Sequence, residues 1–211
     1  RWEVAHRFEP GEIRHLHAIQ YDPYGEKIWI LTGDADDESS LIWTADDFRT
    51  VQSIGEGSQI WRVCQLVFTP EKVIWGTDNG IEELAGIYRW DRQHDTIRKV
   101  MPVDGAVFYG TRLANGTIVF SSDREGFDIE RDDRTRLHFL HGDSVSTVVG
   151  GTWKHHKPGF WFKIAKLRFQ RTSGDEFLAI SVLNQEELPD GDLILIHQDQ
   201  LLPEALVGMT E

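Results

Sequence analysis

Three aspartates set the frame. Asp34, Asp78 and Asp123 are separated by 44 and 45 residues, and each follows a pair of short apolar runs joined by a turn. The clearest copy is residues 16–34, LHAIQYDPYGEKIWILTGD. Residues 16–21 are mostly apolar. Asp22-Pro23-Tyr24-Gly25 is turn chemistry, because Pro presets φ and Gly tolerates positive φ. Residues 27–32 are rich in β-branched and aromatic side chains and stop at Gly33-Asp34. After an acidic loop at 34–40, residues 41–44 and 50–54 read as a third and a fourth strand.

The unit recurs. Residues 63–68 and 73–76 flank the turn Thr69-Pro70-Glu71-Lys72, and 86–90 and 96–101 supply the outer strands. Residues 107–113 and 117–121 flank Asn115-Gly116, the strongest short hairpin signal in the chain, with 137–140 and 145–149 to follow. The last copy has 164–169, a Ser173-Gly174-Asp175 turn, 177–183 and 193–197, with a final strand or short helix expected at 205–207. No segment carries a sustained helical period. Four-stranded modules at a period near 45 are the mark of a β-propeller; the alternative is a β-sandwich. The expectation is one all-β domain over residues 1–211, a propeller or partial propeller of about four to five four-stranded blades. Its units run approximately 15–57, 61–104, 106–150 and 160–211. Residues 1–8 alternate like a strand that lacks a hairpin partner, and the first residue is Arg. These two features make a fragment of a larger propeller the expectation for the chain ends.

Composition narrows the partners. The 211 residues carry a formal charge of −13, so nucleic acid and anionic membrane surfaces are poor partners. An acidic polysaccharide stays open, because a cleft can be locally basic on an acidic protein. No window reaches the roughly 18 apolar residues of a membrane helix, so no membrane insertion is expected. With Cys64 as the single cysteine, neither an intramolecular disulfide nor a thiolate metal site is expected. Eight Trp and eleven Phe are many for this length, which points to aromatic packing between sheets or to a surface that stacks on rings. Compartment and oligomeric state are left open.

Thr44-Ala45-Asp46-Asp47-Phe48-Arg49-Thr50-Val51 resembles a degenerate Asp-box, the Ser/Thr-x-Asp-x-Gly-x-Thr-Trp turn of the sialidase-like (BNR-repeat) propellers. Thr44, Asp46 and Thr50 fit; Phe48 stands for the Gly and Val51 for the Trp. Trp90-Asp91-Arg92-Gln93-His94-Asp95-Thr96 occupies the same place in the next unit and keeps Asp91 and Thr96. The resemblance implies a structural turn on the rim. It also implies a class that spans sialidases, other glycosidases, polysaccharide lyases and non-catalytic sugar-binding or scaffold propellers.

Loops leading into the first strand of each blade meet at a propeller axis. Those loops carry His15 and His17, then Trp61 and Arg62, then Phe108 and Tyr109, then Trp153, His155 and His156. A lyase acting on a uronic acid needs a carboxylate neutraliser, a base and an acid, and Arg, His and Tyr are suitable types. The candidate catalytic residues are therefore His15, His17 and Tyr109; the candidate substrate contacts are Arg62, Trp61, Arg112 and Trp153. Polar plugs and aromatic core of an inert scaffold are the plainer alternative, and for Trp61 core packing is the stronger reading. Asp34, Asp78 and Asp123 read as repeated turn caps. A sialidase site also expects three arginines, and only Arg62 and Arg112 are available.

No metal or other cofactor is expected. His15-x-His17 is a feasible ligand pair on one strand face. The acidic loop Asp34, Asp36, Asp37, Glu38 offers oxygens of the kind Ca2+ takes, but it lacks the Gly and Glu offsets of a known loop. The leading expectation is a carbohydrate-active propeller that cleaves or binds an acidic glycan, or another small polar ligand, at its central face. The second is a non-catalytic propeller offering a protein-binding face.

Overall fold

The computed structural model describes residues 2–154, 164–170 and 174–201. Its four antiparallel sheets follow one another around a common axis as a four-bladed β-propeller. Blade 1 is β1 (His15–Asp22), β2 (Lys27–Gly33), β3 (Ser40–Thr44) and β4 (Gln52–Glu56). Blade 2 is β5 (Leu66–Phe68), β6 (Lys72–Gly76), β7 (Gly86–Asp91) and β8 (Thr96–Pro102). Blade 3 is β9 (Gly110–Arg112), β10 (Ile118–Ser122), β11 (Arg134–His141) and β12 (Ser144–Thr152). Blade 4 shows β13 (Lys166–Phe169), β14 (Phe177–Leu183) and β15 (Leu193–His197); the strand expected at 205–207 lies outside the described residues. Among the described residues no helix is long and apolar enough to cross a membrane.

Each blade pairs its strands in chain order, so neighbouring strands are joined directly, by tight turns or by longer loops such as the one between Ser122 and Arg134, and the first strand lies nearest the axis. Period-2 alternation then gives each sheet two apolar faces, and neighbours cover them. Trp29, Leu31 and Leu41 of blade 1 pack on Val73, Trp75 and Trp90 of blade 2. Val67, Ile74 and Ile87 of blade 2 pack on Val107, Ile118 and Phe120 of blade 3. Val119 and Phe139 of blade 3 pack on Leu167, Leu178 and Ile180 of blade 4. Among the described residues the apolar core is three clusters, one at each of these three junctions.

Polar clasps near the axis reinforce the same junctions. Gln20 on β1 donates through Nε2 to Leu66 O (3.0 Å) and accepts from Leu66 N (2.7 Å). Gln65 repeats the device one blade later, donating to Gly110 O (2.6 Å) and accepting from Gly110 N (3.5 Å). At the third junction Ser121 donates to Leu167 O (3.1 Å) and Asp123 accepts from Leu167 N (3.2 Å). Each clasp satisfies backbone groups that no strand reaches. Further out, Arg92 grips the buried Asp22 carboxylate with two hydrogen bonds, 2.6 and 2.9 Å, tying the β7–β8 turn to the β1–β2 turn.

The Thr44–Thr50 turn closes on Asp46, which accepts from Thr44 Oγ1 (3.0 Å), Thr50 N (2.9 Å) and Thr50 Oγ1 (2.8 Å). Phe48 takes φ +64°, a value that suits Gly better. In the β7–β8 turn Asp91 accepts from the backbone of Gln93 and His94, both at 3.0 Å. Both turns lie on outer strands, where the sequence places them.

Two expectations need correction. Residues 2–8 form no strand. Trp2 and Val4 are exposed, while His6 stacks on Phe48 of the β3–β4 turn at 5.8 Å; alternation alone makes no strand without an edge to pair with. Strands expected to start at residues 63 and 107 start instead at Leu66 and Gly110. The residues before them bond elsewhere: Val107 N donates to Thr77 O of the preceding blade (3.0 Å), and Val63 O binds His17 Nδ1 (3.1 Å).

Two substitutions test the junctions. Gln65→Ala leaves the buried Gly110 amide without its partner, and is expected to cost about 1–3 kcal/mol in urea unfolding. Arg92→Ala strands the buried Asp22 charge and is expected to cost about 3–5 kcal/mol, with Asp22→Asn in the same background recovering part of it.

Candidate ligand site at the hub

The first strands enclose a cavity of about 770 Å³ running along the axis. His17 and Cys64 lie at the end where these strands begin. Tyr21, Tyr24, Phe68 and Arg112 line it toward the other end, with Gln20, Gln65, Phe108 and Tyr109 between. Ile19 and Tyr21 are 61% and 60% exposed on β1, so apolar and aromatic surface faces the space. Arg112 donates to Tyr24 Oη across it (3.2 Å).

A charged cluster closes the His17 end. The β1–β2 register shifts between Leu16 and Ala18, a bulge that re-aims His17. The ring is buried, with Nδ1 on Val63 O and Nε2 3.5 Å from Asp34 Oδ1. Gly33 makes room for it: a Cβ there would lie 2.6 Å from His17 Cε1. Arg62 spans two blades, its Nη2 3.6 Å from Asp34 and its Nε 3.3 Å from Asp78 Oδ2. The second contact is an ion pair without hydrogen-bond alignment, because Nε has no hydrogen-bond partner. Cys64 donates weakly to Asp78 Oδ2 (3.5 Å). Deeper along the chain, Lys166 sits 3.2 Å over the Phe108 ring and 3.9 Å from Glu125 Oε1.

Burial dominates the acidities here. Desolvation raises the Asp78 pKa against the pull of Arg62 and His17. It raises Asp123 further, against Lys166. Glu125 is raised to about 7, by burial first and Asp78 second, with Lys166 opposing. Asp78 Oδ1, Asp123 Oδ2 and Glu125 Oε1 are buried with no hydrogen-bond partner.

The structure brings His15, His17 and Arg62 together around one carboxylate, Asp34; His15 Nδ1 lies 3.7 Å from it. Tyr109 and Arg112 line the cavity together with His17. Trp61 is a core residue, packed on Trp75 at 5.7 Å and roofed by Gly55. Trp153 bridges to Gln185 at the blade 3–4 junction and does not line the cavity. His155 and His156 lie outside the described residues. In the acidic loop, Glu38 pairs with Arg14 (3.1 Å) and accepts from Ala35 N (3.5 Å), so its carboxylate has partners within the chain. Sequence reasoning passed over Cys64, Lys166, Glu125 and the two glutamines. The glutamines carried a usable signal: Gln20 and Gln65 stand 45 residues apart, one repeat length.

No family model matches the chain, and no curated protein matches it. Among solved structures it is similar to a chain in "Crystal structure of Nidogen/Laminin Complex", with a TM-score of 0.54 at 10% identity. The likeness is one of fold. It covers 87% of this chain, which spans 65% of the length of that one. It supports the β-propeller and does not extend to the sialidase-like family, which no match supports.

Glu125 gives a pH test. Its folded-state pKa near 7 exceeds the ordinary 4.5, so the folded state holds the proton more tightly. The resulting stability is full below about 4.5 and is lost as pH rises through about 7. Glu125→Gln keeps the neutral form at all pH, and is expected to flatten the fall in Tm across that window, measured by circular dichroism.

Proposed function

We propose that this chain is a non-catalytic binding propeller that seats a segment of a protein partner in its hub cavity. The cavity wall carries the reading. Ile19 and Tyr21 stand open to solvent beside Tyr24, Phe68 and Tyr109, with Arg112 as the cation among them. Exposed aromatic side chains flanked by one arginine are the composition of protein-binding hot spots, and a concave wall that mixes these rings with polar groups such as Gln20, Gln65 and Arg112 can seat a peptide. An acidic chain with a cation at that wall can also orient a carboxylate of the partner.

The candidate catalytic groups do not gather around such a ligand. His15 and His17 face Asp34, and Arg62 is divided between Asp34 and Asp78. A uronate lyase needs base, acid and cation around one sugar, whereas here the two imidazoles and Arg62 are engaged with aspartates of the chain itself. The similar structure is, by its title, one of a nidogen/laminin complex, which supports a protein partner over a glycan.

Panning a displayed random-peptide library on the purified protein should enrich sequences that bind wild type. Affinity should fall at least tenfold with Tyr21→Ser and with Arg112→Glu, about 1.4 kcal/mol or more, and stay unchanged with Val51→Ser on the outer rim. An acidic-glycan array on the same three variants decides the alternative. Glycan binding lost with Tyr21→Ser and Arg112→Glu, with no peptide enriched, overturns the protein-partner reading.

A further inference from the structure

The loops entering the first two blades bring one imidazole, one thiol and one carboxylate to a single point. Cys64 Sγ lies 3.5 Å from Asp78 Oδ2 and 3.7 Å from His17 Nδ1. One donor atom from each of the three residues lies within 4.8 Å of the others. A tetrahedral ion with metal–sulfur bonds of about 2.3 Å and metal–nitrogen or –oxygen bonds of about 2.0–2.1 Å spaces its donors about 3.5 Å apart. Both sulfur edges of this triangle fit that spacing.

Independent observations point the same way. Asp78 is 2% exposed and its Oδ1 has no partner, a costly state for a buried carboxylate. Arg62 approaches the other oxygen, Oδ2, and leaves Oδ1 open. Asp34 stands behind His17 at Nε2, the place of the carboxylate that orients a ligating imidazole in carboxylate–histidine–metal triads.

We propose that His17, Cys64 and Asp78 bind one divalent ion of the borderline, Zn2+-like class, with its fourth position open to the hub cavity. Sulfur, imidazole nitrogen and carboxylate oxygen together suit such an ion better than Ca2+ or Mg2+. His17 and Cys64 both line the cavity, so a fourth donor from water or a bound partner has access. On binding, the Cys64 thiol gives its proton to solvent. The imidazole proton moves from Nδ1, where Val63 O holds it, to Nε2, where Asp34 accepts it. Sγ, Nδ1 and an Asp78 oxygen then each donate a lone pair, and no electron is transferred. Burial, with Asp78 beside it, holds the ion-free thiol pKa up, and Lys166 and Arg62 pull it down.

Co2+ is the probe. Titrating the metal-free full chain should give a 1:1 end point with an intense near-ultraviolet thiolate-to-cobalt band and visible bands of a tetrahedral ion, displaced by Zn2+. Because Cys64 is the single cysteine, that band reports on this site. Cys64→Ser should abolish it, and Asp34→Asn should weaken Co2+ binding about 10- to 100-fold while keeping the spectrum. Absence of Co2+ binding, binding without the thiolate band, or a band that survives Cys64→Ser each overturns the proposal. Should Cys64→Ser fail to fold by circular dichroism, the wild-type spectrum and Asp34→Asn decide it.

Discussion

A four-stranded antiparallel sheet with apolar side chains on both faces cannot hide either face by itself, and everything else in this molecule follows from that. Trp29 of blade 1 meets Trp90 of blade 2 edge-on at 6.0 Å, and Trp75 lies nearly parallel to Tyr88 at 6.0 Å. Large aromatic side chains fill the first of these wedges, and Val, Leu and Ile fill most of the other two. The same packing dictates how tightly the first strands crowd the axis. It also explains why glutamines and a serine–aspartate pair are stationed there: backbone groups facing a neighbour blade rather than a paired strand need side-chain partners.

Crowding at the axis has an electrostatic consequence. Each blade delivers the end of its second strand to the same rim of the hub, so aspartates from three repeats arrive together. Arg62 and Lys166 offset part of that charge, but burial holds Asp78, Asp123 and Glu125 toward their neutral forms. The opposite end of the cavity has another character, with Tyr21, Tyr24 and Phe68 around Arg112. One axial space therefore has a polar, proton-holding end and an aromatic end.

The architecture was legible because a repeat averages over local ambiguity. Asp-Pro-Tyr-Gly, Asn115-Gly116 and three aspartates in phase outweigh the uncertain edges of any one strand. The candidate residues were legible in part. His15, His17 and Arg62 meet because loops into consecutive first strands converge, which the repeat implies. Trp61 belongs to the core, the stronger of its two readings from sequence, because a 3-10 turn at Gln59–Trp61 swings its indole under Gly55. The terminal segment misled: alternation at residues 2–8 is a property of the residues, while a strand is a property of a pair.

Periodicity, turn chemistry and the density of aromatic residues by themselves determined the blades, their order and the outer-rim turns, since these depend on contacts between residues near in sequence or one repeat apart. Tertiary structure alone decided which carboxylates lose their water, that Cys64 faces His17 and Asp78, and that Gln20 and Gln65 hold the hub together. Those facts depend on distances set by a bulge at His17, by the missing side chain of Gly33 and by the depth of burial at the axis. Desolvation and donor geometry belong to the assembled interior, and a linear order of residues does not contain them.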